Sequence, residues 1–131
     1  MFGFKKKKNK DQIKDSSEKI ILTQEREKEL LSEINIKKNK LEEADTNERA
    51  KIYEEIGMDF YELQQEENAI QALEESLEIK KSIGNGYKTL LKLYNKKRAE
   101  AANANDDDVL QIYLKKMDKM MQISKDVTRG L

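Results

Sequence analysis

The sequence predicts an all-α protein of about five antiparallel helices. Proline is absent and glycine occurs only five times in 131 residues, so long helices meet few breakers. Charged residues make up 40% of the chain, and the apolar residues recur at intervals of three and four, which is typical of amphipathic helices. Two Asp-x-x-Glu signals, at Asp15 and Asp45, indicate helix starts.

The N-terminal segment, residues 1–14, is predicted to be a disordered basic tail, because it holds six lysines against one acid and no helical apolar stripe. Residues 15–131 then form a single helical domain. Its first helix is long, running from Asp15, where Glu18 completes a capping box, to about Glu43. Since its middle, residues 24–29, is polar throughout, we expect it to pack only along a thin seam.

The next two helices form a predicted hairpin. The second begins at Asp45 and should end near Gln64. The third runs from about Glu66 to Ser82 and stops at Gly84, which we expect to adopt the left-handed conformation that glycine favours at helix C-termini.

The fourth helix is predicted to start with Asn85 as its N-cap and to continue into the alanine-rich segment 99–105. Asp106, Asp107 and Asp108 supply caps and negative charge for the start of the fifth helix.

The fifth helix carries more apolar surface than one neighbouring helix can cover. Its two adjoining stripes are Leu110, Tyr113, Leu114, Met117 and Met121, and Val109, Ile112, Met120, Ile123 and Val127. Either the first helix covers this surface, or it mediates self-association or partner binding through adaptable methionines. The candidate self-association residues are Ile112, Met117, Met120 and Met121.

One segment has a recognisable spacing. Residues 50–83 contain Tyr53-x2-Ile56-Gly57-x2-Phe60, followed by Ala69-x3-Leu73 and Ser76. This pattern resembles a tetratricopeptide repeat (TPR), in which small residues let two antiparallel helices cross closely. The segment departs from the family at four positions: Tyr53 replaces Trp, Gln64 replaces the turn Gly, Ser76 replaces Ala and Lys81 replaces the terminal Pro.

Residues 84–127 resemble a second, degenerate copy. A shift of 34 residues places Tyr87, Leu90, Leu91 and Tyr94 beneath Tyr53, Ile56, Gly57 and Phe60. Tyr113 and Met117 match Ala69 and Leu73 only after roughly ten further residues, so longer helices are expected in this unit. An ordinary helical bundle, or a three-helix module of the microtubule-interacting-and-trafficking type, would show similar spacing.

The TPR resemblance implies a non-enzymatic adaptor that binds a partner protein or peptide in a groove lined by the leading helices. Carried over by position, the groove residues are Glu54, Met58, Tyr61, Glu62, Lys88, Lys92, Asn95 and Lys96. Lys88, Lys92 and Lys96 are spaced four residues apart and repel one another, so we expect an acidic partner.

Catalysis and cofactors are not predicted. Histidine and cysteine are absent, which removes the usual general base, the thiolate nucleophile and the nitrogen and sulfur ligands of zinc. Net charge is zero, and the lysines are not interleaved with aromatics, so nucleic-acid binding is not expected. No apolar run reaches the length of a signal peptide or membrane span, and a cytoplasmic location is expected.

The tail supports an alternative function. Phe2 and Phe4, followed by Lys5, Lys6, Lys7 and Lys8, are suited to contact with an anionic membrane surface. On this alternative, the protein is a membrane-surface accessory protein that is tethered by its tail and self-assembles through its helices.

Overall fold

The computed structural model describes residues 22–130, which form five antiparallel α-helices, so the all-α prediction is confirmed. They are α1 (Gln24–Lys40), α2 (Thr46–Glu62), α3 (Glu66–Ile79), α4 (Asn85–Asn103) and α5 (Asp107–Gly130). Each helix packs against its neighbour in the chain, and α2 also contacts α4.

The first helix begins later than predicted. Thr23 has an extended backbone, and its side chain accepts a hydrogen bond of 3.0 Å from the Arg26 amide, which makes Thr23 the N-cap of α1. A continuous helix from Asp15 to Glu43 is therefore wrong, and the polar stretch 24–29 is the start of α1. The Asp15 signal and the predicted tail lie outside the described residues.

Two predicted caps are confirmed. Asp45 accepts a hydrogen bond from the Glu48 amide at 2.9 Å, and Asp106 accepts one from the Val109 amide at 3.2 Å. Each carboxylate satisfies a backbone donor that the first turn of a helix leaves unpaired.

The two hairpin turns share one conformation. Gln64 and Asn105, each two residues beyond a helix end, have φ angles of 65° and 56°. In each turn the following amide donates back to the helix, Gln65 to Phe60 and Asp106 to Ala101, as in a Schellman motif. The second hairpin is longer, with 19 and 24 residues in α4 and α5 against 17 and 14 in α2 and α3.

The predicted end of the third helix and start of the fourth need correction. Lys80 is extended, so α3 ends at Ile79 and not near Ser82. Gly84 has a φ of −83° and is not left-handed, and Asn85 is the first helical residue, not the cap. The α4 N-terminus is held from another helix instead, because Glu54 Oε2 accepts a hydrogen bond of 2.8 Å from the Gly86 amide.

The core consists of two clusters. The first joins α3, α4 and α5 through Ala69, Ile70, Leu73, Leu77, Leu90, Leu93, Tyr94, Met120 and Ile123. The second joins α1, α2 and α3 through Leu30, Ile34, Ile56, Leu63 and Ala72. Within residues 22–130 the α1 backbone contacts α2 and does not approach α5, so the described part of the first helix does not cover the fifth.

Candidate interaction surfaces

The α2 residues predicted to line a groove are used largely for packing within the chain. Glu54 holds the N-terminus of α4, as described above. Met58 and Tyr61 are half-buried and pack against the first core cluster. Glu62 is exposed and accepts two hydrogen bonds from the Arg26 guanidinium, of 2.6 and 2.9 Å. This hydrogen bonding lowers the pKa of Glu62 below its usual value.

The α4 candidates divide into paired and unpaired side chains. Asn95 accepts hydrogen bonds from Arg98 on the same helix, and Lys96 forms an ion pair with Glu66 of α3. The side chains of Lys88 and Lys92 are exposed and form no hydrogen bond or ion pair with any residue in the described part of the chain. The expected row of three free lysines is thus reduced to two.

The α5 candidates lie in three different environments. Met120 is 2% exposed in the first core cluster, and its carbonyl accepts a hydrogen bond of 2.9 Å from the Tyr87 hydroxyl. Its assignment to a self-association surface is therefore wrong. Met117 is half-buried against the same cluster, whereas Ile112 and Met121 are 51% and 57% exposed. Met120 and Met121 differ because consecutive helical residues point about 100° apart.

A cleft between α3 and α5, which the sequence did not predict, is bridged by three ion pairs. Lys116 Nζ lies 2.6 Å from Glu74, Lys119 Nζ lies 2.5 Å from Glu78, and Lys81 Nζ lies 2.8 Å from Asp126. The first two pairs border a cavity of about 500 Å³, whose apolar lining includes Leu77, Leu90, Met120 and Ile123. The first two pairs connect α3 and α5, whose backbones lie farther apart than those of α3 and α4, and Lys81 lies just beyond the end of α3.

Tyr94 lines this cleft, and its pKa is strongly shifted. Its hydroxyl donates a hydrogen bond to Glu74, and Lys116 Nζ lies 5.6 Å from the centre of its ring. Burial, followed by the hydrogen bond to the carboxylate, raises the pKa of Tyr94 far above its ordinary value. The phenol therefore stays protonated and links α4 to α3, and it is not poised to exchange a proton near neutral pH.

Two further properties concern residues 22–130 alone. No group of three or more acidic side chains in that range is placed to hold a metal ion. None of its helices is long and apolar enough to cross a bilayer.

Comparison of the chain with protein-family models, curated proteins and solved structures gives no match.

Proposed function

We propose that this protein is a non-enzymatic interaction adaptor, built from two TPR-like hairpins, that binds a partner protein or peptide carrying acidic residues. The observation that carries the proposal is the pair of unpaired lysines on α4. On that helix Lys96, Lys97 and Arg98 have side-chain partners, whereas Lys88 and Lys92 have none in the described chain.

The packing of the hairpins supports the TPR-like part of the proposal. The α2 and α3 helices approach each other closely at Gly57. The α4 helix packs on both of them, as expected when hairpins stack side by side. The two hairpins also share the left-handed turn at Gln64 and Asn105.

The charge of Lys88 and Lys92 supports an acidic partner. Like charges four residues apart on a helix destabilise it by a few tenths of a kcal/mol. Opposite charge on a partner would remove that repulsion, and would also steer the partner to this side of α4.

The test is an affinity pull-down from a lysate of the source cells at low salt, where charge contacts are least screened. The double variant Lys88→Glu/Lys92→Glu should lower partner recovery by about tenfold. The matched control is Lys28→Glu/Lys40→Glu on α1, which makes the same charge change at two exposed lysines. Equal loss in both variants, or in neither, would contradict the role of α4, and absence of any specific partner would contradict the adaptor function.

A second candidate function is that of a membrane-surface accessory protein. It is supported by the sequence of the tail, where Phe2 and Phe4 precede four consecutive lysines. The exposed side chains of Ile112 and Met121 would be available for the self-assembly that this alternative includes.

A further inference from the structure

In the first hairpin, formed by α2 and α3, the apolar edge that faces along the stack is covered by the next helix, α4. Ile70 and Leu77 of α3 are 5% and 7% exposed and belong to the cluster that contains Leu90 and Leu93 of α4. The α2 helix contributes to the same edge, because Glu54 binds the α4 N-terminus and Met58 packs against this cluster.

The second hairpin has the equivalent edge without a covering helix in the described chain. α5 lies on α4 through the Tyr94–Tyr113 ring contact, with centroids 5.9 Å apart. The alignment that places Tyr113 beneath Ala69 also places Leu114 beneath Ile70 and Met121 beneath Leu77. Leu114 and Met121 are 37% and 57% exposed.

These two side chains point away from the preceding hairpin. Lys116, which pairs with Glu74 of α3, marks the side of α5 that faces that hairpin. At 3.6 residues per turn, Leu114 and Met121 lie about 160° and about 140° around the helix from Lys116. They also lie about 10 Å apart along the helix axis, a span of two turns.

The charge on the α4 side of this edge differs from that of the first hairpin. The 34-residue shift places Lys88 beneath Glu54 and Lys92 beneath Met58, and both lysines are exposed. A helix N-terminus carries partial positive charge, so Lys88 would repel the kind of helix start that Glu54 holds. An occupant of this edge must therefore bring negative charge.

We infer that the edge formed by Leu114, Met121, Lys88 and Lys92, the open edge, binds an amphipathic helix of a partner protein, with its apolar stripe on α5 and acidic residues against α4. This inference rests on the proposed adaptor function and specifies its binding surface. Residues 1–14 hold six lysines against one acid, so that segment would place cations beside cations. A second copy joined edge to edge by a two-fold axis that sets α4 against α4 would bring Lys88 and Lys92 of both copies together.

The probe is a synthetic helical peptide of roughly 20 residues, with leucines spaced three and four apart and glutamates along one flank of that stripe. Binding to the full chain is measured by fluorescence anisotropy. We expect Leu114→Ser/Met121→Ser and Lys88→Glu/Lys92→Glu each to weaken binding by about tenfold or more. The control Leu31→Ser/Ile36→Ser, at two α1 side chains that are 46% and 51% exposed, should bind like the parent. A matching peptide with lysine in place of glutamate should not bind.

The same variants in the lysate pull-down separate this inference from the adaptor function. Because the chain has no cysteine, a photoreactive group can be attached uniquely through Met121→Cys, with Ile36→Cys as control. Cross-links from position 121 to an acidic amphipathic helix of a partner are expected. Cross-links to a second copy or to residues 1–21 would overturn the inference, as would peptide binding that ignores the open-edge substitutions. Partners that are captured equally by the Leu114→Ser/Met121→Ser variant would overturn the open edge but leave the adaptor function standing.

Discussion

Gly57 of α2 lies directly against Leu73 of α3. A Cβ atom at position 57 would lie 2.6 Å from both Cγ and Cδ2 of Leu73. Leu73 is 1% exposed in the core, so it has little room to move aside. The three atoms nearest to that Cβ position all belong to Leu73, so this residue sets the closeness of the crossing.

Gly57→Leu should lower the free energy of unfolding by about 1–3 kcal/mol, because the added side chain overpacks this crossing. Gly57→Ala should also destabilise, although alanine is normally the better helix former by about 0.5–1 kcal/mol. Urea denaturation followed by circular dichroism measures both changes. Gly130→Ala is the control, since a Cβ at that position would meet no atom within 4 Å beyond its chain neighbours and its own helix backbone. Unchanged stability of Gly57→Leu would contradict the close crossing.

Met120 and Met121 are adjacent in sequence, but truncation should destabilise the protein at the first and have little effect at the second. Met120→Ala removes a side chain that is 2% exposed and should cost about 2–5 kcal/mol of stability. Met121→Ala removes one that is 57% exposed and should change stability by less than about 0.5 kcal/mol. Thermal unfolding distinguishes the two variants. Equal effects would contradict the orientation of α5 that buries Met120 and exposes Met121.

Glu54 is expected to stabilise the fold from its position at the α4 N-terminus. Glu54→Ala removes the acceptor of the Gly86 amide and should cost about 1 kcal/mol, similar to the loss of a helix cap. Glu54→Gln keeps an acceptor oxygen and should cost less, since only the charge at the helix N-terminus is lost. Denaturant titration gives both values. If Glu54→Ala instead left stability intact and weakened partner binding, Glu54 would belong to the binding surface.

The alkaline stability of the protein should depend on Tyr94. Burial raises the pKa of both Tyr94 and Tyr113, so the folded state holds these protons more tightly than the unfolded chain does. Their contribution to stability is complete below the ordinary tyrosine pKa of about 10 and is lost as the pH rises above it. Denaturant titrations at increasing alkaline pH should show this fall, and Tyr94→Phe should make it shallower. An equally steep fall in the variant would show that ionisation of Tyr94 does not cause the loss of stability.

The membrane alternative is tested on the tail. If Phe2 and Phe4 insert at a bilayer interface, Phe2→Ser/Phe4→Ser should release the protein from anionic vesicles in a sedimentation assay, while its helical circular dichroism stays unchanged. Ile36→Ser, which alters an exposed apolar residue of α1, should sediment like the parent. Equal partitioning of the tail variant and the parent, or no binding by either, would discard this function.

The sequence by itself determined the helices and several of their start positions, because the interactions responsible are local. Asp45 and Asp106 cap helices using amides three residues away, and the apolar periodicity identifies one face of each helix. The small residue at position 57 also correctly marked a close helix crossing.

Tertiary structure decided which side chains remain available at the surface, because that depends on contacts between residues far apart in the chain. Glu54 binds Gly86 across 32 positions, and Lys116 binds Glu74 across 42. The sequence placed Met120 and Met121 in the same candidate self-association surface, and only the packing of α5 in the fold shows that the first is buried and the second exposed. Sequence reasoning could therefore place residues on a helix, but packing fixed which of them face a neighbouring helix and which face solvent.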